Sequence, residues 1–244
     1  MLTSLRVQLL TYRRSPQIFM LVAMPIVLVV VLSDALAPVL PGDNPQQSTV
    51  IGFALMFSFY AASFVADAVF QERNWGNWPR LLSLPVSPRA VVVGKIVAPV
   101  VLIVLQIILL LAFGVVAYGV QLGNVAMLGV IVVLAAVAAA ALGPIFGAVG
   151  RSQVAINNLV NIVVIVLAAV GGALAPVSRL PEAIRHIAPA TPHYWALKGF
   201  ATATTPGGAW ADLVEPIAFL LAFSAAAFAA GVAVFRFERM LDAL

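Results

Sequence analysis

The stretch IVAPVVLIVLQIILLLAFGVVAYGV, residues 96–120, contains no charged side chain. A helix of about 20 apolar residues crosses a hydrocarbon core about 30 Å thick, so this run reads as a membrane span. The following run, VAMLGVIVVLAAVAAAALGPIFGAV at 125–149, reads the same way, and Gly123-Asn124 between them marks a tight turn. Working outward, four further runs qualify: Ile18–Leu36, Thr49–Val69, Ala155–Ala175 and Val214–Phe235. None alternates apolar and polar residues at period two, as barrel strands do. The expected fold is an all-α membrane protein, a single transmembrane domain over residues 1–244 with six spans.

Bulk composition supports this. Of 244 residues, 63% are hydrophobic and 9% charged, and the mean hydropathy is +1.10. A soluble domain carries about 25% charged residues, and one of this length has too much exterior to hide so much apolar surface. The surplus faces lipid. The chain has no cysteine, which excludes disulfides, thiol catalysis and cysteine metal sites. His186 and His193 share one loop without the constellation that a metal or catalytic site needs, so neither is expected. The net charge of +4 is not gathered on a soluble face, and nucleic acid is not an expected partner.

Arg6, Arg13 and Arg14 ahead of an apolar run, with Ala35-Leu36-Ala37 after it, imitate a secretory leader. Because the sequence starts at Met1, the run is read as a retained span. Of the 13 basic residues only Arg179, Arg185 and Lys198 lie in outer segments if the N-terminus is inside. The positive-inside rule then puts both ends in the cytoplasm. Leu2, Leu5, Leu9 and Tyr12 recur on one helical face with Arg6 and Arg13 on another. Residues 1–15 thus read as an interfacial helix with its arginines toward lipid headgroups.

Two connections are long, and long connections carry function. The inner one, residues 70–94, includes Phe70-Gln71-Glu72-Arg73-Asn74-Trp75-Gly76-Asn77-Trp78-Pro79-Arg80-Leu81-Leu82-Ser83-Leu84-Pro85-Val86-Ser87-Pro88-Arg89. Asn77 and Pro79 suit the start of a short helix, and Pro85 and Pro88 its end. Residue types alone allow a plain loop anchored by tryptophans or a docking helix for a cytoplasmic partner. The outer one, residues 176–213, holds Leu180-Pro181 and Ala188-Pro189-Ala190-Thr191-Pro192-His193-Tyr194-Trp195-Ala196-Leu197, and reads as a lid at the outer mouth.

These two segments resemble those of permease subunits of type-2 ATP-binding-cassette (ABC) exporters. Glu72, Gly76, Leu81, Leu82, Pro85 and Ser87 match that family's acidic–glycine, Leu-Leu and Pro-x-Ser positions; Asn77 and Trp78-Pro79 depart from them. The outer segment is similar to the family's leucine-proline and proline-x-x-tyrosine/tryptophan pattern. The resemblance implies a cytoplasmic coupling helix between spans 2 and 3, with Glu72, Arg73, Trp75, Gly76, Trp78, Arg80, Leu81 and Leu82 docking an ATPase. It implies short re-entrant helices between spans 5 and 6, with Pro181, Pro189, Pro192, Tyr194 and Trp195 at an outer gate. It further implies no cofactor on this chain, ATP and Mg on a separate ATPase subunit, a second permease copy, and a bacterial plasma membrane location.

Two groups are candidates for a substrate pathway. Phe53, Phe57, Tyr60 and Phe64 are spaced for one helical face, with Asp67 continuing it. They read as ordinary packing or as a wall for an apolar cargo, and Arg73 is a candidate to neutralise Asp67. Asn157, Asn158 and Asn161 open the fifth span and must meet protein or water, as helix-to-helix glue or as a polar entrance. Gly143-Pro144, Gly147 and Gly171-Gly172 allow kinks or close helix contact.

No G-x-x-x-x-G-K-[ST] phosphate loop occurs in the sequence, so ATP would be hydrolysed on another chain. The function read here is a permease moving a hydrophobic or amphipathic cargo outward. The alternative is a self-contained secondary transporter; such proteins place ionisable groups near the midplane, whereas Asp34, Asp67 and Glu215 lie near span ends.

Overall fold

The computed structural model describes residues 16–40, 44–74 and 88–241. The expected interfacial helix at 1–15 and the coupling residues Trp75, Gly76, Trp78, Arg80, Leu81 and Leu82 lie outside the described residues. The chain forms α1 (Pro16–Leu36), α2 (Pro45–Tyr60), α3 (Ala62–Asn74), α4 (Pro88–Tyr118) and α5 (Val125–Val149). It continues with α6 (Gln153–Val170), α7 (Glu182–Ile187), α8 (Pro192–Thr204) and α9 (Val214–Leu241). No strand occurs among the described residues. Five helical stretches are long and apolar enough to cross a bilayer: Pro45–Gln71, which joins α2 to most of α3, Ile96–Tyr118, Val125–Val149, Gln153–Val170 and Trp210–Val234. The apolar stretch Leu21–Leu36 of α1 is shorter; a sixth span rests on counting α1.

Local chemistry sets where these helices start. Side-chain oxygens of Asn44, Asn124, Ser152 and Thr191 accept from backbone N–H groups at Gln47 (3.0 Å), Ala126 (3.1 Å), Ala155 (3.1 Å) and Tyr194 (3.3 Å), satisfying donors that a helix N-terminus leaves free. Pro45 and Pro192 take the first helical position, where a missing N–H costs nothing. Pro88, read above as closing the short helix before it, begins α4 for the same reason; that short helix lies outside the described residues.

Glycines set where two helices stop. The fifth span was read to Ala175, but α6 ends at Val170. Gly172 adopts φ +93°, and the N–H of Ala173 bonds the carbonyl of Ala168 at 2.8 Å. That pairing closes a Schellman turn, which needs a residue in the left-handed region. Gly119, with φ +64°, likewise halts α4 at Tyr118 rather than Val120.

Helix α5 sits at the centre, packed against α9, α3, α8 and α4. Its contact with α3 is backbone-close. A Cβ at Gly147 would stand 2.7 Å from the carbonyl oxygen of Ala66, and one at Gly143 would collide with the Val65 side chain. On the α9 side, a Cβ at Gly231 would stand 2.6 Å from Cβ of Pro144. Small residues at such contacts let membrane helices approach and gain dispersion energy. The outer helices keep apolar side chains exposed, among them Val31, Leu105, Leu109, Ile162 and Leu221, as lipid-facing spans require.

Residues 37–40 and 44, 119–124 and the segment 171–213 gather at one end, here termed upper; the turn at 150–152 lies at the other. Hydrogen bonds knit the upper end together. Asn44 Nδ2 donates to the Tyr118 carbonyl (3.4 Å), the Gln121 N–H to Gln47 Oε1 (3.0 Å) and the Asn124 N–H to the Ala203 carbonyl (2.8 Å).

Candidate functional site

Span 2 is two helices, not one. The Ala61 N–H bonds the Ser58 carbonyl (3.2 Å) and the Phe64 N–H bonds the Ala61 carbonyl (3.0 Å), both closing three-residue loops as in a 3-10 turn. Ser58 Oγ donates back to the Leu55 carbonyl (2.6 Å) and Ser63 Oγ to the Tyr60 carbonyl (2.8 Å). Such back-bonding competes with the helix ladder and bends it.

The break falls inside the aromatic stripe. Phe57 and Tyr60 are half-buried, their ring centroids 5.4 Å apart. Phe53 and Phe64 are 5% and 3% exposed, covered by neighbouring helices. The structure therefore brings Phe57 and Tyr60 together at an accessible position and leaves Phe53 and Phe64 inside the packing. Glu72 and Arg73 fall in the last residues of α3, two turns below Phe64; their side chains lie outside the described residues.

Helix α6 buries one row, Ile156, Val160, Val164 and Ala168. Asn157 is half-buried, whereas Asn158 and Asn161 are exposed, on a face shared with Ile162 and Ile165. Spacings of three, four and seven place these four along one side of the helix. Amides on the outside of a span need water or another protein surface.

At the upper end, α8 is wedged among α5, α9, α2 and α6 with Pro192, Ala196 and Phe200 buried. Trp195 Nε1 donates to the Pro189 carbonyl at 2.7 Å. Its ring stacks on Phe219 at 5.3 Å and meets Tyr194 edge-on at 5.3 Å. Lys198 Nζ lies 4.9 Å from the Trp195 ring centroid and 2.6 Å from Glu215 Oε2. The hydrogen bond to Glu215 raises the Lys198 pKa above its ordinary value. Pro189, Pro192, Tyr194 and Trp195 thus form one cluster, while Pro181 is exposed at the start of α7.

The surroundings of three side chains escaped the sequence reading. His193 is fully buried, its ring 4.1 Å from that of Phe59, and neither ring nitrogen has a hydrogen-bond partner among the described residues. Burial pushes its pKa down to about 3, so the imidazole is neutral. The register of His193, Ala196, Phe200 and Ala203 along one face was the available signal. Gln106, a lone amide in an apolar run, is 2% exposed and donates to the Ala54 carbonyl at 3.4 Å. Asp67, 9% exposed, accepts from Nε2 of Gln153, the first residue of α6.

Residues 1–204 match the ABC-2 type transporter membrane family. The chain is 28% identical over 192 residues to the linearmycin resistance permease protein LnrN of Bacillus subtilis (strain 168). That alignment covers 78% of this chain and 49% of the relative, so the chain spans about half the length of the curated relative it matches.

Proposed function

Because the chain belongs to the ABC-2 type transporter family, and is thereby a multi-pass membrane permease, we propose that it is the membrane-spanning subunit of an exporter powered by a separate ATPase. The observation that carries this is the path of span 2. From the accessible pair Phe57 and Tyr60 it passes through the break at Ala61, then down α3 into residues 75–87. Force applied at those residues reaches the aromatic pair through α3 and the break at its upper end.

In this reading Glu72, Arg73, Trp75, Gly76, Trp78, Arg80, Leu81 and Leu82 dock the ATPase, which carries ATP and Mg. A second copy, or a close paralogue, covers the exposed Asn158–Asn161 face of α6 about a two-fold axis. Phe57, Tyr60 and the asparagines then border a pathway between the copies, and the Pro189–Trp195 cluster closes its outer mouth. The distribution of basic residues supports an upper end outside and both termini in the cytoplasm, in a bacterial plasma membrane as the family resemblance implies. Apolar walls suit a hydrophobic or amphipathic cargo. The relative's name speaks of resistance to a compound, and outward movement of a toxic molecule confers resistance.

Co-purification tests the reading. Expressed with candidate ATPases, the chain should co-elute with one, and Glu72→Lys or Arg80→Glu should release it. Co-elution that survives both reversals rejects the docking assignment. Uptake of solute under an ion gradient by the chain alone in vesicles, without nucleotide, rejects the exporter.

A further inference from the structure

Span 2 is fastened differently above and below its break. Above it, α2 is held to the upper end: a Cβ at Gly52 would collide with the Ala173 carbonyl, and Phe59 stacks on His193. Below it, α3 abuts α5 at Gly143 and Gly147, and Asp67 accepts the hydrogen bond from Gln153. Both pieces pack against α5 and α6, but the lower piece makes the closer contact with α5 and is the one that leads into residues 75–87.

We propose that the Asp67–Gln153 hydrogen bond is the positioning link that passes displacement of α3 to α6. The proposal rests on reading residues 75–87 as the point where force enters. Asp67 stands seven residues above Asn74, roughly 10 Å along the helix. Gln153 is the first residue of α6, four residues from Asn157 and eight from Asn161. Through this bond, a shift of α3 moves the first turn of α6 and with it the amides on its exposed face.

The bond suits that task for two reasons. Helix α6 is held along its length by a single apolar row, and apolar contacts are non-directional, so they let helices slide. A hydrogen bond to a carboxylate is directional and about twice as strong as a neutral one. Asp67 and Gln153 are thus positioning residues, acting on the pathway through α6.

The chain has no cysteine, so one label can be placed on Ile162→Cys, which is 64% exposed on the α6 face. The nitroxide spectrum is recorded in the purified complex with the co-eluting ATPase, nucleotide-free and vanadate-trapped, alongside ATP hydrolysis. The expected result is a spectral change on trapping that disappears with Gln153→Leu while hydrolysis stays within about twofold, since the ATPase itself is untouched. The reciprocal exchange, Asp67→Gln with Gln153→Asp, should restore the change. A Gln153→Leu complex that keeps the full change overturns the link. Loss of hydrolysis and of complex yield in step with the change also overturns it, by making the bond a structural strut. So does an assembled exchange variant that stays silent. A wild-type complex that does not hydrolyse ATP is a separate readout, and it rejects the function proposed above.

Discussion

Replacing His193 by phenylalanine should remove an acid-sensitive weakness from the upper end. The folded chain holds this imidazole neutral with a pKa of about 3, against 6.5 for an unburied histidine. Between those values the unfolded chain binds the proton and the folded one does not, so stability falls as pH drops. The contribution is intact above pH 6.5 and erodes as pH falls toward 3. At pH 5, one and a half units below the unfolded value, the loss is about 2 kcal/mol relative to pH 7.5, at about 1.4 kcal/mol per unit. Phenylalanine has similar volume, can keep the stack on Phe59, and leaves no ring nitrogen buried without a partner. His193→Phe should therefore match or exceed the parent at pH 7.5 and lose less on acidification. Thermal unfolding followed by tryptophan fluorescence in detergent, from pH 7.5 to 5, checks this; other titrating groups cancel in the comparison. Parallel pH profiles for the two proteins would refute the argument, because His193 would then be protonated, or exposed, in the folded state.

Four further outcomes are expected. Gly147→Val should force α3 and α5 apart and lower stability by about 1–3 kcal/mol, read as a reduced melting temperature; an unchanged melting temperature contradicts the close contact at Ala66. Phe57→Ala and Tyr60→Ala should alter cargo-stimulated ATPase activity with assembly intact. Phe59→Ala, at a fully buried ring, should instead cost about 3–5 kcal/mol and reduce the yield of folded protein. Thr191→Ala removes the cap on α8 and should cost about 1 kcal/mol, seen as faster hydrogen exchange at residues 193–196 with the rest of the chain unaffected.

The helical, membrane-spanning character was legible because it depends on run length and composition alone. The family was legible too, from Glu72 to Ser87 and from Leu180 to Leu197. What was not legible depends on neighbours. No Gly or Pro marks the break at Ala61; it arises where Ser58 and Ser63 turn back on carbonyls three residues away, a choice that serine makes only in context. An ideal helical wheel put Phe53, Phe57, Tyr60 and Phe64 on one face, but which of them is covered depends on what packs there. Gly171-Gly172 was read as a kink or a contact, and the left-handed φ of Gly172 makes it a terminus. His193 was weighed as a ligand, whereas its register on α8 buries it against Phe59.

The glycine contacts of α5 bear on how this molecule can be altered. Gly143 and Gly147 rest against the short, stiff side chains of Val65 and Val69 and the carbonyls of Ala62 and Ala66. There is thus little slack between α3 and α5, and slippage by one residue would drive a branched group into a carbonyl. Along that seam α3 and α5 are held close together below the break at Ala61. Substitutions along that seam should change the tempo of the cycle and leave selectivity alone, since the choice of passenger is made by other side chains.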